Sequence, residues 1–212
     1  EKISLKEGIS YTFLKAINIT IDSDGSCFTL KSGQSVINIK SHMLGRQNIH
    51  NILAAAAVAL HYGVTLKEIK TAIKNMKPTP HRLQLIKNPN GIIIIDDAFN
   101  SNPLGARTAL DVLGSFKGGK KILVTPGLVE LGEIEYEENK KLGEMAATIC
   151  DYVIVVGKTQ AEPIIAGLEE KNFSSEKVKN VQSLDNASQS LQSILNPGDI
   201  VLFENDLPDN YL

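Results

Sequence analysis

The sequence predicts an α/β protein: an open, mostly parallel Rossmann-like sheet with helices on both faces, preceded by a small β-meander plus helices. Three observations carry this prediction. Residues 4–39 alternate apolar and polar side chains between turn residues. Residues 48–76 turn alanine- and leucine-rich and then break at prolines. From residue 83 onward, short β-branched runs recur with helical segments of about 10–15 residues between them, the spacing of parallel strands joined by crossovers.

Each element follows in order. "YTFLKAINITID", the turn "SDGS" and "CFTLKSGQSVINIK", with Gly33 at a further reversal, make an antiparallel meander. "NIHNILAAAAVALHYG" opens with polar residues suited to a helix start and stops at Gly63. In "TLKEIKTAIKNM", Thr65 is the N-cap and Glu68 occupies the capping-box position. The prolines of "KPTPHR" end that helix and set a domain boundary, giving domains of residues 1–77 and 78–212. Beyond it the strands are predicted at 83–86, 92–96, 121–125, 152–156, 178–181 and 200–203, and the helices near 104–116, 136–149, 160–171 and 184–195.

Composition narrows the function. Charged residues make up 22% of the 212 residues, apolar residues 42%, and the net charge is -2, so no basic excess advertises binding to nucleic acid. No apolar run has the length of a membrane span, and "EKISLKEGIS" lacks the basic and apolar regions of a secretion signal, so a cytoplasmic location is expected. Cys27 and Cys150, with no CxxC and no Cys/His cluster, read as two reduced, partly buried thiols.

Ligands of open parallel sheets sit beyond the carboxyl ends of the strands, which puts Asp96, Asp97, Asn100, "TPGLVELGE" and "VGKTQ" on one functional edge. Asp97, closing an isoleucine run, has the chemistry to accept ribose hydroxyls or help hold a metal; satisfying backbone donors at the strand end is the competing use. Asn102 and Pro103 read as the cap and first residue of the next helix. In "GRQNIHN", Asn48 and Asn51 share one helix face, where carboxamides present donor and acceptor to a purine edge or simply cap the helix. Arg82 is placed to reach a phosphate, to pair with an acid, or to remain a solvated charge.

Glu133, Glu135, Glu137 and Glu138 suit a helix N-terminus, while Gly127 and Gly132 allow close backbone approach to a ligand. Lys158 either meets a substrate carboxylate or stands as an exposed loop lysine.

Together these features resemble the Mur ligases, ATP-dependent amide-forming enzymes of peptidoglycan synthesis. Gly45, Gln47, Asn48 and Asn51 match the family's Gly-x-His/Gln-Asn-x-x-Asn, His81 and Arg82 match its His/Gly-Arg, and Asp97 matches the Asp ending its first long strand. "DDAFNSNP" and "VTPGLVELG" look most like the branch that adds D-alanyl-D-alanine to a UDP-muramoyl tripeptide. The resemblance implies ATP and Mg2+ as cofactors, and a UDP-muramoyl peptide plus an amino acid or dipeptide as substrates. It also implies adenine contacts at Asn48 and Asn51, ribose and phosphate contacts at Arg82 and Asp97, and Asn100 and Asn102 bordering the nucleotide. Residues 1–77 would then be the end of the central ATP-binding domain and 78–212 the C-terminal domain, closing on a nucleotide between them.

The sequence departs from the family in three ways. No GxxxxGK[ST] loop occurs, so these residues alone are expected not to turn over. Phe99 replaces the branch's usual Tyr, and "VLFENDLPDNYL" does not resemble its Lys-Gly-Ser segment. A Mur-like ligase with another amine substrate and a non-catalytic nucleotide-binding module are the competing readings.

Overall fold

The computed structural model describes residues 2–7 and 10–206, with side chains from residue 13 onward, and the chain divides at Pro78/Thr79 into two compact units. The N-terminal unit begins with four antiparallel strands in chain order, β1 (Lys2–Glu7), β2 (Ser10–Asp22), β3 (Gly25–Ser32) and β4 (Ser35–Ser41). Helices α1 (Arg46–His61) and α2 (Leu66–Asn75) follow. Alternation puts Leu14, Phe28, Leu30 and Ile39 into one core with Ile49, Leu53 and Ala57 of α1 and Ile69 and Ile73 of α2.

Both helices end as their residues dictate. At the close of α1, the N–H of Val64 donates to the Ala59 carbonyl and that of Gly63 to the Leu60 carbonyl, the reciprocal pair of a Schellman motif. At the start of α2, the Thr65 hydroxyl accepts from the Glu68 N–H while the Glu68 carboxylate accepts from the Thr65 N–H at 2.8 Å. Helix α1 does open on polar residues, but at Arg46, two residues before the predicted run; its N-cap is Gly45, with no side-chain cap, and Asn48 lies within the first turn.

The C-terminal unit is a six-stranded sheet of β5 (Gln84–Lys87), β6 (Ile93–Asp97), β7 (Lys121–Thr125), β8 (Tyr152–Val156), β9 (Val178–Val181) and β10 (Ile200–Glu204), in spatial order β5-β6-β10-β7-β8-β9. In this sheet only β5 runs antiparallel to its neighbour. The last strand therefore enters the middle, flanked by β6 and β7, and its residues Ile200, Val201 and Leu202 are all buried.

The crossovers are α3 (Pro103–Ser115), α4 (Glu135–Ile149), α5 (Ala161–Glu170) and α6 (Leu184–Ile194). Ala187 and Leu191 of α6 cover the sheet face of Ile122, Val124, Ile154, Val156 and Val201. Helices α3, α4 and α5 pack side by side. The α4–α5 approach is close because it has no β-carbons at its centre: a Cβ on Gly143 would lie 2.1 Å from the Ile164 carbonyl oxygen, and one on Gly167 would lie 2.0 Å from that of Lys140.

Strand boundaries differ from the sequence expectation where the backbone bends. β5 starts at Gln84 because Leu83 has a left-handed φ of 47°, and β6 and β10 each run one residue further, to Asp97 and Glu204, which are register partners. Cys150 is buried, with its thiol pushed up to about 12 chiefly by burial; both cysteines are free thiols. Residues 207–212, part of the divergent C-terminal segment, lie outside the described residues.

Candidate functional site

The parallel strands present their carboxyl ends on one edge, and four side chains crowd at its centre. Asp97 ends β6, Glu204 ends β10, Thr125 ends β7, and Asn205 follows Glu204. Register partners in a sheet project to the same face, so the carboxyls of Asp97 and Glu204 are neighbours.

The paired acids hold a strained segment in place. His81 and Leu83 both have left-handed φ, 56° and 47°, an arrangement that persists only where the surroundings fix it. Asp97 accepts the Leu83 N–H at 2.9 Å, and Asp96 accepts from His81 Nδ1 at 2.9 Å and from the Ala98 N–H at 3.2 Å. The N–H of Phe99 donates to the His81 carbonyl at 3.3 Å.

Arg82 extends from that segment over the loop after β6. Its guanidinium donates to the Asn100 carbonyl at 3.0 Å and stands 4.4 Å from the centre of the Phe99 ring, a cation–π contact that keeps the exposed ring in place without a hydroxyl. Burial holds the Asp97 carboxyl above its ordinary value, opposed by the Leu83 N–H and by Arg82, with Asp96 adding to the rise. Arg82, Asp97 and Asn100 are therefore brought together, with one Asp97 oxygen spent on the backbone.

The other predicted residues occupy distinct settings. Asn102 caps α3: its Oδ1 accepts the Gly105 N–H at 2.9 Å, with Pro103 at the first helical position. In the N-terminal unit, Asn48 Nδ2 donates to the Leu44 carbonyl at 2.8 Å, leaving its Oδ1 as an acceptor, and Asn51 is exposed one turn on. Beside them the buried Gln47 Oε1 has no hydrogen-bond partner.

Gly127 is buried, and the close approach there is made by the protein itself: a Cβ would lie 2.5 Å from Gln160 Cβ and 2.7 Å from Asn139 Oδ1. Gly132 begins a short 3-10 turn, Gly132–Ile134, with open space beside it, and Lys158 is an exposed loop residue.

Sequence reasoning missed what supports these loops. Buried Asn139 of α4 donates to the carbonyls of Leu128 and Glu135 and to Gln160 Oε1, and accepts the Leu128 N–H at 2.8 Å. In the sequence it hides within an acidic helix start. Glu204 is also new: 0% exposed, it accepts from the Thr125 hydroxyl at 3.1 Å, and its Oε1 has no partner. The usable signal is the one that marks Asp97, a carboxylate closing an apolar run.

Among the described residues, no group of three or more His, Cys, Asp or Glu side chains is arranged to hold a metal ion. Nor is any helix there long and apolar enough to cross a membrane.

Comparison with known proteins matches residues 81–204 to the family described as "Mur ligase, glutamate ligase domain". The UDP-N-acetylmuramoyl-tripeptide–D-alanyl-D-alanine ligase of Bacillus subtilis is 30% identical over 88% of this chain and 40% of its own length. The Escherichia coli ligase of the same name is 35% identical over 68% of this chain and 32% of its own. Among solved structures, MurF from Acinetobacter baumannii superposes with TM-score 0.75 at 26% identity, covering 91% of this chain and 42% of that one. MurF from Thermotoga maritima in complex with ADP gives TM-score 0.77 at 23% identity, over 91% and 43% respectively, a likeness of fold. The chain thus spans under half the length of these relatives.

Proposed function

Because this chain belongs to the Mur ligase family, we propose that it is part of an ATP-dependent ligase that joins D-alanyl-D-alanine to a UDP-muramoyl tripeptide, in the cytoplasm where both ATP and nucleotide-linked precursors are made. Asn48 and Asn51 serve as adenine contacts, and Arg82 and Asp97 as ribose and phosphate contacts. Asn100 and Asn102 border the nucleotide, and Gly127 and Lys158 lie on the side of the incoming amine.

The observation that carries this reading is the clamping of Arg82 and Asp97 onto one strand-end loop, at the edge where open parallel sheets bind ligands. A planar guanidinium held in place suits a phosphate, since its donors are oriented before the ligand arrives. In the proposed reaction the tripeptide carboxylate attacks the γ-phosphate of ATP, releasing ADP and forming an acyl phosphate. The amine then displaces inorganic phosphate to leave the amide. Magnesium supplies charge neutralisation when bound, and the residues described here contribute binding and orientation. Without a GxxxxGK[ST] loop these 212 residues by themselves bind nucleotide but do not turn it over.

The test is a full-length ligase that carries these residues, incubated with ATP, UDP-muramoyl tripeptide and D-alanyl-D-alanine, reading phosphate release and product mass. A panel of single D- and L-amino acids in place of the dipeptide fixes the amine. Substituting Arg82→Ala or Asp97→Ala is expected to lower kcat/KM by about 100-fold. Absence of product with every amine, at ATP saturation, overturns the reading.

A further inference from the structure

The end of β10 bridges two loops by hydrogen bonds. On one side, the Asn205 N–H donates to the Asp97 carbonyl at 3.2 Å and Asn205 Oδ1 accepts the Ser101 N–H at 3.1 Å. On the other, the Thr125 hydroxyl donates to Glu204 Oε2 at 3.1 Å while itself accepting the Gly127 N–H at 3.0 Å, and Asn205 Nδ2 donates to the Gly127 carbonyl at 2.6 Å. Asn205 thus grips the loop after β6 and the loop after β7, while Glu204 beside it, register partner of Asp97, holds the Thr125 hydroxyl that anchors the second loop.

We propose that Glu204 and Asn205 are positioning residues: they form a clasp that fixes the strand-end loop bearing Asp97, Asn100 and Asn102 for nucleotide binding. The inference rests on the nucleotide-ligase reading for its functional part and on geometry alone for the clasp.

A buried acid with a free oxygen is an unusual strut. A full carboxylate here stands beside Asp97 from β6, its titratable neighbour; β7 offers Thr125, and the loop after β6 offers Ser101, neither of them cationic. Arg82 is directed to the Asn100 carbonyl and the Phe99 ring. Burial, with Asp97 adding to it, raises the Glu204 carboxyl to about 7, against the lowering pull of Ser101 and Thr125. The neutral acid avoids like-charge repulsion between register partners, so the clasp is tightest when Glu204 holds its proton.

The experiment compares wild type, Glu204→Gln, Glu204→Ala and Asn205→Ala of the native protein, with Asp199→Asn as a control at the opposite end of the same strand. Asp199 accepts the N–H groups of Lys120 and Asn196 and takes no part in the clasp. Binding of ADP is measured by calorimetry, and amide exchange is followed over residues 97–102 and 125–131. The clasp predicts that Glu204→Ala and Asn205→Ala speed exchange in both loops and weaken ADP by about tenfold or more, while Glu204→Gln, which mimics the neutral acid, stays within about threefold of wild type.

Asp199→Asn is expected to change neither readout. Wild-type exchange and wild-type ADP affinity in Asn205→Ala and Glu204→Ala overturn the proposal, as does an equal loss in Asp199→Asn. If wild type itself fails to bind ADP, the ligase reading fails, and exchange in the two loops still decides the clasp. Should Glu204→Ala not fold, Asn205→Ala decides between the same two outcomes.

Discussion

Asp97 and Glu204 are adjacent carboxyls with different duties. Asp97 accepts the N–H of a residue whose φ is left-handed, so removing it strands a donor where Leu83 is only 2% exposed. Asp97→Ala is expected to cost about 1–3 kcal/mol in urea unfolding, with Asp97→Asn costing less because an acceptor remains. Glu204 holds its proton in the folded state up to about pH 7, whereas an unfolded glutamate releases it near the ordinary 4.5. Between those values the unfolded chain binds fewer protons. This residue's stabilising share is therefore complete below about 4.5, declines as the pH rises, and is gone above about 7. Each unit of that window is worth about 1.4 kcal/mol. Glu204→Gln removes this slope, so the stability difference between wild type and variant, measured from pH 4.5 to 8, is expected to change steadily up to about pH 7 and then stay flat; a constant difference would contradict it.

Among the elements, small positions decide packing. Gly143 and Gly167 let α4 and α5 meet backbone to backbone, so a methyl at either one must push a carbonyl away. Gly143→Ala and Gly167→Ala are expected to destabilise by about 1–3 kcal/mol or more, which thermal melts of the two variants would register as lowered midpoints. The elements themselves are legible because periodicity and caps agree: the runs at 121–125, 152–156 and 178–181 coincide with β7, β8 and β9, and the Thr65–Glu68 box forms as its residues predict. What the sequence leaves hidden is order across the sheet. Chain order leaves β10 last, yet it lies between β6 and β7, and only that placement brings Glu204 and Asn205 to Asp97, Ser101 and Gly127. The glycine predicted to approach a ligand also approaches Gln160 and Asn139 for the same steric reason, since close approach says nothing about what approaches. A similar limit applies at Asn102, whose capping role is fixed by Pro103 and Gly105 locally, whatever else its amide meets.

At the scale of the whole chain, the N-terminal core of Leu14, Phe28, Leu30, Ile52 and Leu53 is separate from the C-terminal core around Ile122, Ile154 and Val201. Two cores of this kind give each unit its own unfolding equilibrium. A ligand stabilises only what it binds, by RT ln(1 + [L]/Kd), or about 2.7 kcal/mol when its concentration is roughly 100 times Kd. If ADP is held by Asn48 and Asn51 as well as by Arg82 and Asp97, it is expected to raise the unfolding midpoints of both units, followed separately by exchange at residues 46–61 and 93–97. Asn51→Ala should then reduce the ADP-dependent protection of both stretches, and so should Arg82→Ala, because each weakens the same complex. Protection confined to residues 93–97, unmoved by Asn51→Ala, would mean that the helix-mouth asparagines do not touch the nucleotide and that the strand-end loop binds it by itself.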